Sequence, residues 1–152
     1  CKCGNRGCLE MYCGTTALVR IIRQRIKEGN YSVLEAGCDL AEVIEAIQKG
    51  DHLAVAEYEN ACDALGVGVA NIINILNPDI IVIGDEMASI SLDVMNERIN
   101  NVLRKRVHPF QYKHTNLKVV EEKDDISLRG AAIFAIEELM KQDVMLTWVD
   151  IG

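Results

Sequence analysis

The stretch Asn77-Pro78-Asp79-Ile80-Ile81-Val82-Ile83-Gly84 decides how this chain is built. Residues Ile80 to Ile83 are β-branched, apolar and consecutive rather than alternating. That pattern predicts a strand buried on both faces, at the centre of a parallel sheet. Pro78 disfavours helical geometry in the residue before it, so a helix must end by Asn77. The helix that ends there is predicted from about Leu53 to Leu76, with Leu65, Val69, Ile72, Ile73 and Leu76 along one face. Gly66 and Gly68 interrupt it. A dinucleotide fingerprint would need a preceding strand and a glycine where Asn71 stands, so that chemistry is excluded. Close packing against a neighbour is the better account of two glycines that each cost about 1 kcal/mol of helix propensity.

Working outward, Leu18, Ile22 and Ile26 recur at helical spacing between Thr15 and Lys27, with Arg20, Arg23, Arg25 and Lys27 between them. Gly29-Asn30 closes that helix, and its cations read as a solvated face before they read as a phosphate site. Asp39 is placed to cap a short helix running to about Gln48, and Gly50-Asp51 separates it from the long one. Downstream, Leu92, Met95, Ile99 and Val102 predict a helix to about Val107, its C-terminal dipole favoured by Arg104, Lys105 and Arg106. Leu117 to Val120 is a second strand, and Ser127 opens a last helix to about Lys141, where Gly130-Ala131-Ala132 would allow close approach to a sheet. Two strands cannot form a stable sheet covered on both faces. The remaining strands are expected in a portion upstream of Cys1, which makes this chain the C-terminal part of a longer protein.

The 152 residues suffice for one domain, and 49% hydrophobic with 26% charged residues is the balance of a soluble globular chain. That composition excludes a disordered tail. No apolar run is long enough to span a bilayer. Sixteen Lys and Arg against 23 Asp and Glu leave a formal charge of -7, which argues against contact between this part and a phosphate backbone.

The six cysteines are unevenly placed. Cys1, Cys3 and Cys8 fall within Cys1-Lys2-Cys3-Gly4-Asn5-Arg6-Gly7-Cys8, and Cys13 follows closely. Gly4 and Gly7 permit tight turns that can aim three sulfurs at one centre, a set suited to Zn²⁺ with a fourth ligand from elsewhere. A disulfide pair with spare thiols is the alternative, and a catalytic cysteine the remaining one, although no His lies close in sequence to serve it as base. Cys38 and Cys62 fall in segments of predicted helix and read as small core residues.

Cys1-x-Cys3-Gly4-x-x-Gly7-Cys8-Leu9-Glu10 resembles the zinc-knuckle signature of the ROK family of sugar kinases and sugar-responsive transcriptional repressors. Gly66 through Gly84 resembles that family's C-terminal helix–strand unit, and Gly130-Ala131-Ala132 its closing small-residue helix. The resemblance implies an α/β, helix-rich fragment of an actin/hexokinase-like (ribonuclease H-like) C-terminal lobe with few strands, residues 1–152 forming a single lobe with the zinc-knuckle loop at 1–10. It implies that Cys1, Cys3 and Cys8 are zinc ligands and that the fourth, a histidine, lies upstream; His52, His108 and His114 do not occupy its place, and Cys13 is the candidate substitute. It implies that Glu10 accepts hydrogen bonds from sugar hydroxyls, with a surface glutamate at a helix start as the alternative, and that metal would hold the loop and so aim Glu10.

The resemblance also divides the functions. The family's kinases need a phosphate loop and a catalytic aspartate that would precede Cys1, so this chain by itself is expected to have no catalytic residue. Its strand ends in Gly84-Asp85-Glu86-Met87, where two carboxylates and a thioether replace the kinases' small residues and disfavour a nucleotide. The apolar tail Val144-Met145-Leu146-Thr147-Trp148-Val149 is similar to tails of the family's repressors. The expectation is therefore the sugar-sensing C-terminal part of a cytoplasmic ROK-type transcriptional regulator. It would bind a small sugar or sugar phosphate, form a homo-oligomer, stay off membranes, and meet DNA only through an absent N-terminal domain. The alternatives are a fragment of an ATP-dependent, glucokinase-like sugar kinase and a zinc-stabilised dimerisation module.

Overall fold

Burial of one long helix organises the described part of the chain. The structure, a computed structural model, describes residues 1–84, 86–120 and 126–141. It divides into two compact units at Glu121 and Glu122. Asp85 and the apolar stretch Val144 to Val149 lie outside the described residues.

In the first unit, α1 (Glu10–Cys13) is a single turn that leads into α2 (Thr15–Lys27). Helix α3 (Leu40–Gln48) opens with a capping box: the Glu42 amide donates to Asp39 Oδ1 at 2.9 Å and the Asp39 amide donates to Glu42 Oε2 at 2.8 Å. Helix α4 (His52–Leu76) is capped by Asp51, which accepts from the amides of Ala54 and Val33 and from the Ser32 hydroxyl. Burial pushes the Asp51 carboxyl up, but these three donors together hold it below its ordinary value. Asn77 adopts a left-handed conformation (φ 46°) at the end of α4, as the residue before a proline cannot stay helical.

Strand β1 (Ile80–Gly84) is followed by α5 (Glu86–Ile90), α6 (Leu92–Arg106) and α7 (Pro109–His114), and then by β2 (Asn116–Val120). The two strands are parallel, with Ile80 opposite Asn116 and Gly84 opposite Val120. The core comprises Leu18 and Ile22 of α2, Val43 and Ala46 of α3, the inward side of α4, and Met95, Ile99 and Leu103 of α6. The buried Tyr58 hydroxyl, at 3.1 Å from the Met87 carbonyl and 3.0 Å from that of Ser91, ties α4 to the α5–α6 junction. Cys38 and Cys62 are buried core residues, but only Cys62 is helical, Cys38 lying in the loop before α3; burial pushes the Cys62 thiol up to about 12, so it stays protonated.

Three expectations need correction. Ile72 and Leu76 do not share the inward face of α4; they are exposed, and that face runs through Ala54, Tyr58, Ala61, Cys62, Val69 and Ile73 instead. On α6 the buried series is Met95, Ile99 and Leu103, with Val102 turned onto Gly66. β1 is not covered on both sides: Ile81 and Ile83 pack on the core, while Ile80 and Val82 remain about half exposed. With two described strands, one sheet face has no layer over it within this unit.

The second unit contains α8 (Ile126–Lys141), with Ser127 inside its first turn rather than ahead of it. Among the described residues no helix is long and apolar enough to cross a membrane.

Candidate metal and ligand site

The loop of residues 1–9 has no regular secondary structure, and its shape comes from two glycines and a few backbone hydrogen bonds. Gly4 (φ 83°) and Gly7 (φ 76°) both lie in the left-handed region that a side chain resists. The Gly4 amide closes a turn on the Cys1 carbonyl at 3.0 Å, and the Met11 amide donates to the Cys8 carbonyl at 3.0 Å. These turns bring the sulfurs of Cys1, Cys3 and Cys8 within 4.8 Å of one another. Cys3 Sγ and Cys8 Sγ are 3.4 Å apart, a thiol–thiol contact and not a disulfide, which would need about 2.05 Å. All six cysteines are free thiols.

This arrangement fits a tetrahedral metal. Sulfurs each about 2.3 Å from one ion stand about 3.8 Å from each other, and a cluster whose sulfurs all lie within 4.8 Å is compatible with that value. The Asn5 backbone amide, and next the Cys8 thiol, hold the Cys3 thiol below its ordinary value, which favours the thiolate that a metal needs. Cys1 and Cys3 are exposed and Cys8 is half-buried, so an ion can reach them. The fourth position is not filled by the candidates in sequence. Cys13 Sγ lies 3.4 Å from the Leu9 carbonyl and outside the cluster. His52 opens α4, His108 accepts from the Phe110 amide at the start of α7, and His114 stacks on Phe110.

Glu10 begins α1, directly after the last cysteine of the loop, and is exposed. A Cβ on Gly14 would stand 2.9 Å from the Glu10 backbone carbonyl oxygen, which cannot move aside, and 2.8 Å from its carboxyl carbon. Gly14 (φ −82°) is therefore required for space and not for backbone freedom. The loop is anchored by contacts that sequence reading missed. A Cβ on Gly68 would stand 2.7 Å from Leu9 Cδ2, so this helix glycine is the socket for Leu9. A Cβ on Gly66 would stand 3.0 Å from Val102 Cβ, where α4 and α6 cross. The glycines in α4 were legible as packing positions, but their partners were not, since no sequence rule pairs residue 68 with residue 9. Arg20 Nη2 donates to the Met11 carbonyl at 3.2 Å and ties α2 to the turn that carries Glu10.

This helix-rich unit on a parallel pair of strands has the actin/hexokinase-like fold that solved sugar kinases share. Residues 1–138 match the ROK family, and the chain belongs to it. The xylose repressor of Caldicellulosiruptor bescii is 28% identical over 145 residues, covering 92% of this chain and 36% of that protein. The glucokinase of Thermotoga maritima is 37% identical over 90 residues, covering 55% of this chain and 28% of the enzyme. The crystal structure of a ROK family transcriptional regulator, homologous to the E. coli MLC protein, superposes with a TM-score of 0.73 at 27% identity, covering 88% of this chain and 34% of that one. The chain thus spans about a third of the length of these relatives.

Proposed function

We propose that residues 1–152 form part of a single C-terminal lobe that senses a sugar in a ROK-type transcriptional regulator. The observation that carries this reading is the reach of the sequence similarity: it extends over 92% of the chain with a xylose repressor and over 55% with a glucokinase. Cys1, Cys3 and Cys8 would hold zinc, with the fourth ligand supplied from outside the cluster. Zinc bound there is structural: it cross-links the loop. The chain's own residues do the rest. Gly14 leaves room for the Glu10 carboxylate, Leu9 seats the turn on Gly68, and Arg20 fixes the Met11 carbonyl. A carboxylate carried on a turn fixed in this way would accept hydrogen bonds from two adjacent sugar hydroxyls, each charge-assisted and stronger than a neutral pair.

Regulation follows from differential binding. A sugar that prefers one arrangement of the lobes shifts the population toward it, and in a homo-oligomer that shift resets the spacing of paired DNA readers. The net charge of -7 suits a part that delegates DNA contact to another domain. A cytoplasmic setting accords with this role. The second reading, a fragment of an ATP-dependent sugar kinase, is favoured by the glucokinase similarity and by the fold shared with solved sugar kinases.

The test is a thermal melt of the full gene product with D-xylose, D-glucose and N-acetylglucosamine, with and without ATP. The sensor reading predicts that one sugar raises Tm without ATP, that Glu10→Gln removes the rise, and that no ADP forms. Sugar-dependent ADP production would establish the kinase instead, and indifference to every sugar would leave only a dimerisation module.

A further inference from the structure

The cations of α2 are not a uniformly solvated face. Arg25 turns toward α4 and is neutralised there, with Nε 2.9 Å from Glu57 Oε1 and Nη1 3.6 Å from Glu28 Oε2. Arg20 and Arg23 are held differently. Arg23 donates from Nε to the Cys38 carbonyl at 2.7 Å and from Nη2 to the Gly37 carbonyl at 3.2 Å, and Arg20 donates to the Met11 carbonyl at 3.2 Å. Carbonyl oxygens fix a guanidinium in place without cancelling its charge. Among the described residues neither arginine has a carboxylate partner, in contrast to Arg25, Lys49 and Arg98.

Both arginines line a cavity of about 610 Å³ between α2 and the start of α3, together with Lys27, Thr15, Thr16 and Asp39. Three cations face one carboxylate there, and that carboxylate is already engaged as acceptor of the Glu42 amide. The volume suits a small metabolite. Each guanidinium keeps donors beyond those used on the carbonyls, and its planar fork matches phosphate oxygens. The two threonines add hydroxyl donors. In a chain of net charge -7 this concentration of positive charge, fixed in advance by backbone carbonyls, is a local exception.

We propose that this cavity binds a phosphate monoester through Arg20, Arg23 and Lys27, at a site separate from the hydroxyl-binding role of Glu10. Because Arg20 also holds the Met11 carbonyl, occupancy bears on the turn that follows the cysteine loop.

The probe is inorganic phosphate, titrated into the purified protein against chloride at matched ionic strength, with binding read by calorimetry. Glucose 6-phosphate and ATP then distinguish a sugar ester from a nucleotide as the source of the group, and a poly-glutamate peptide represents an acidic protein. Saturable phosphate binding is expected, weakened at least tenfold in the Arg20→Gln/Lys27→Gln double variant and partly restored in Arg20→Lys. If the double variant melts early without ligand, Lys27→Gln alone carries the test, since Lys27 makes no hydrogen bond or ion pair among the described residues. Phosphate binding no stronger than chloride, equal affinity in the variants, or preferential capture of poly-glutamate would overturn the proposal.

Discussion

Where α4 crosses α6, Gly66 admits Val102 so closely that an added methyl would be crowded, and Ile99 and Leu103 are sealed from water on the same helix as Val102. At the other end of the chain, residues 1–9 have no fully buried side chain, and what orders them is a few backbone bonds and three convergent thiols. The two regions meet where Leu9 packs on Gly68. The difference shows that the helical layer is held chiefly by apolar burial, with caps and the Tyr58 hydrogen bonds added, whereas the loop has no such core and, on the proposed reading, would take its rigidity from what the sulfurs bind.

That contrast can be broken from the core side. Ile99→Ala opens a cavity at a fully buried position and should cost about 3 kcal/mol in urea denaturation. Its effect on metal affinity in the folded protein should be small. Asp51→Ala removes a helix cap with three donors and should cost about 2 kcal/mol at neutral pH. The Asp51 carboxyl is held below its ordinary value of 3.8, so its stabilisation is complete above that value in the folded state and is lost as pH falls through the lower folded value. Urea midpoints of wild type and Asp51→Ala should therefore converge on acidification below about pH 4 and stay apart above pH 5.

The contrast is sharpened at the junction. Gly68→Ala adds a methyl that meets the flexible end of Leu9, while alanine improves helix propensity by about 1 kcal/mol. The two effects oppose, so global stability should change by less than about 1 kcal/mol. Metal affinity should fall measurably in a chelator competition, because the displaced Leu9 lies next to Cys8. A large loss of global stability with unchanged metal affinity would show that the loop is not seated through this contact.

How much was legible in sequence follows the same division. Thr15–Lys27 was readable to the residue and Leu40–Gln48 closely, because their limits are set locally, by Gly29-Asn30 and by the Asp39 cap. The short helices α5 and α7 were missed, since five or six residues carry too little periodicity to stand out. Burial of Ile72, Leu76 and both faces of β1 was overestimated because an apolar pattern states what a residue prefers, not which neighbour covers it. The cysteine cluster was visible from spacing and glycines, while Gly14, the Leu9–Gly68 socket and the carbonyl-held arginines depend on contacts between distant segments.

Cobalt(II) titration of the reduced protein addresses the metal-held loop most directly, because thiolate-to-cobalt charge transfer reports how many sulfurs bind one ion. One cobalt per chain is predicted, with a near-ultraviolet band of three-thiolate intensity that drops by about a third in each of Cys1→Ser, Cys3→Ser and Cys8→Ser, and with displacement by zinc. A chain that develops no such band, or one whose band is untouched by these substitutions, would contradict it.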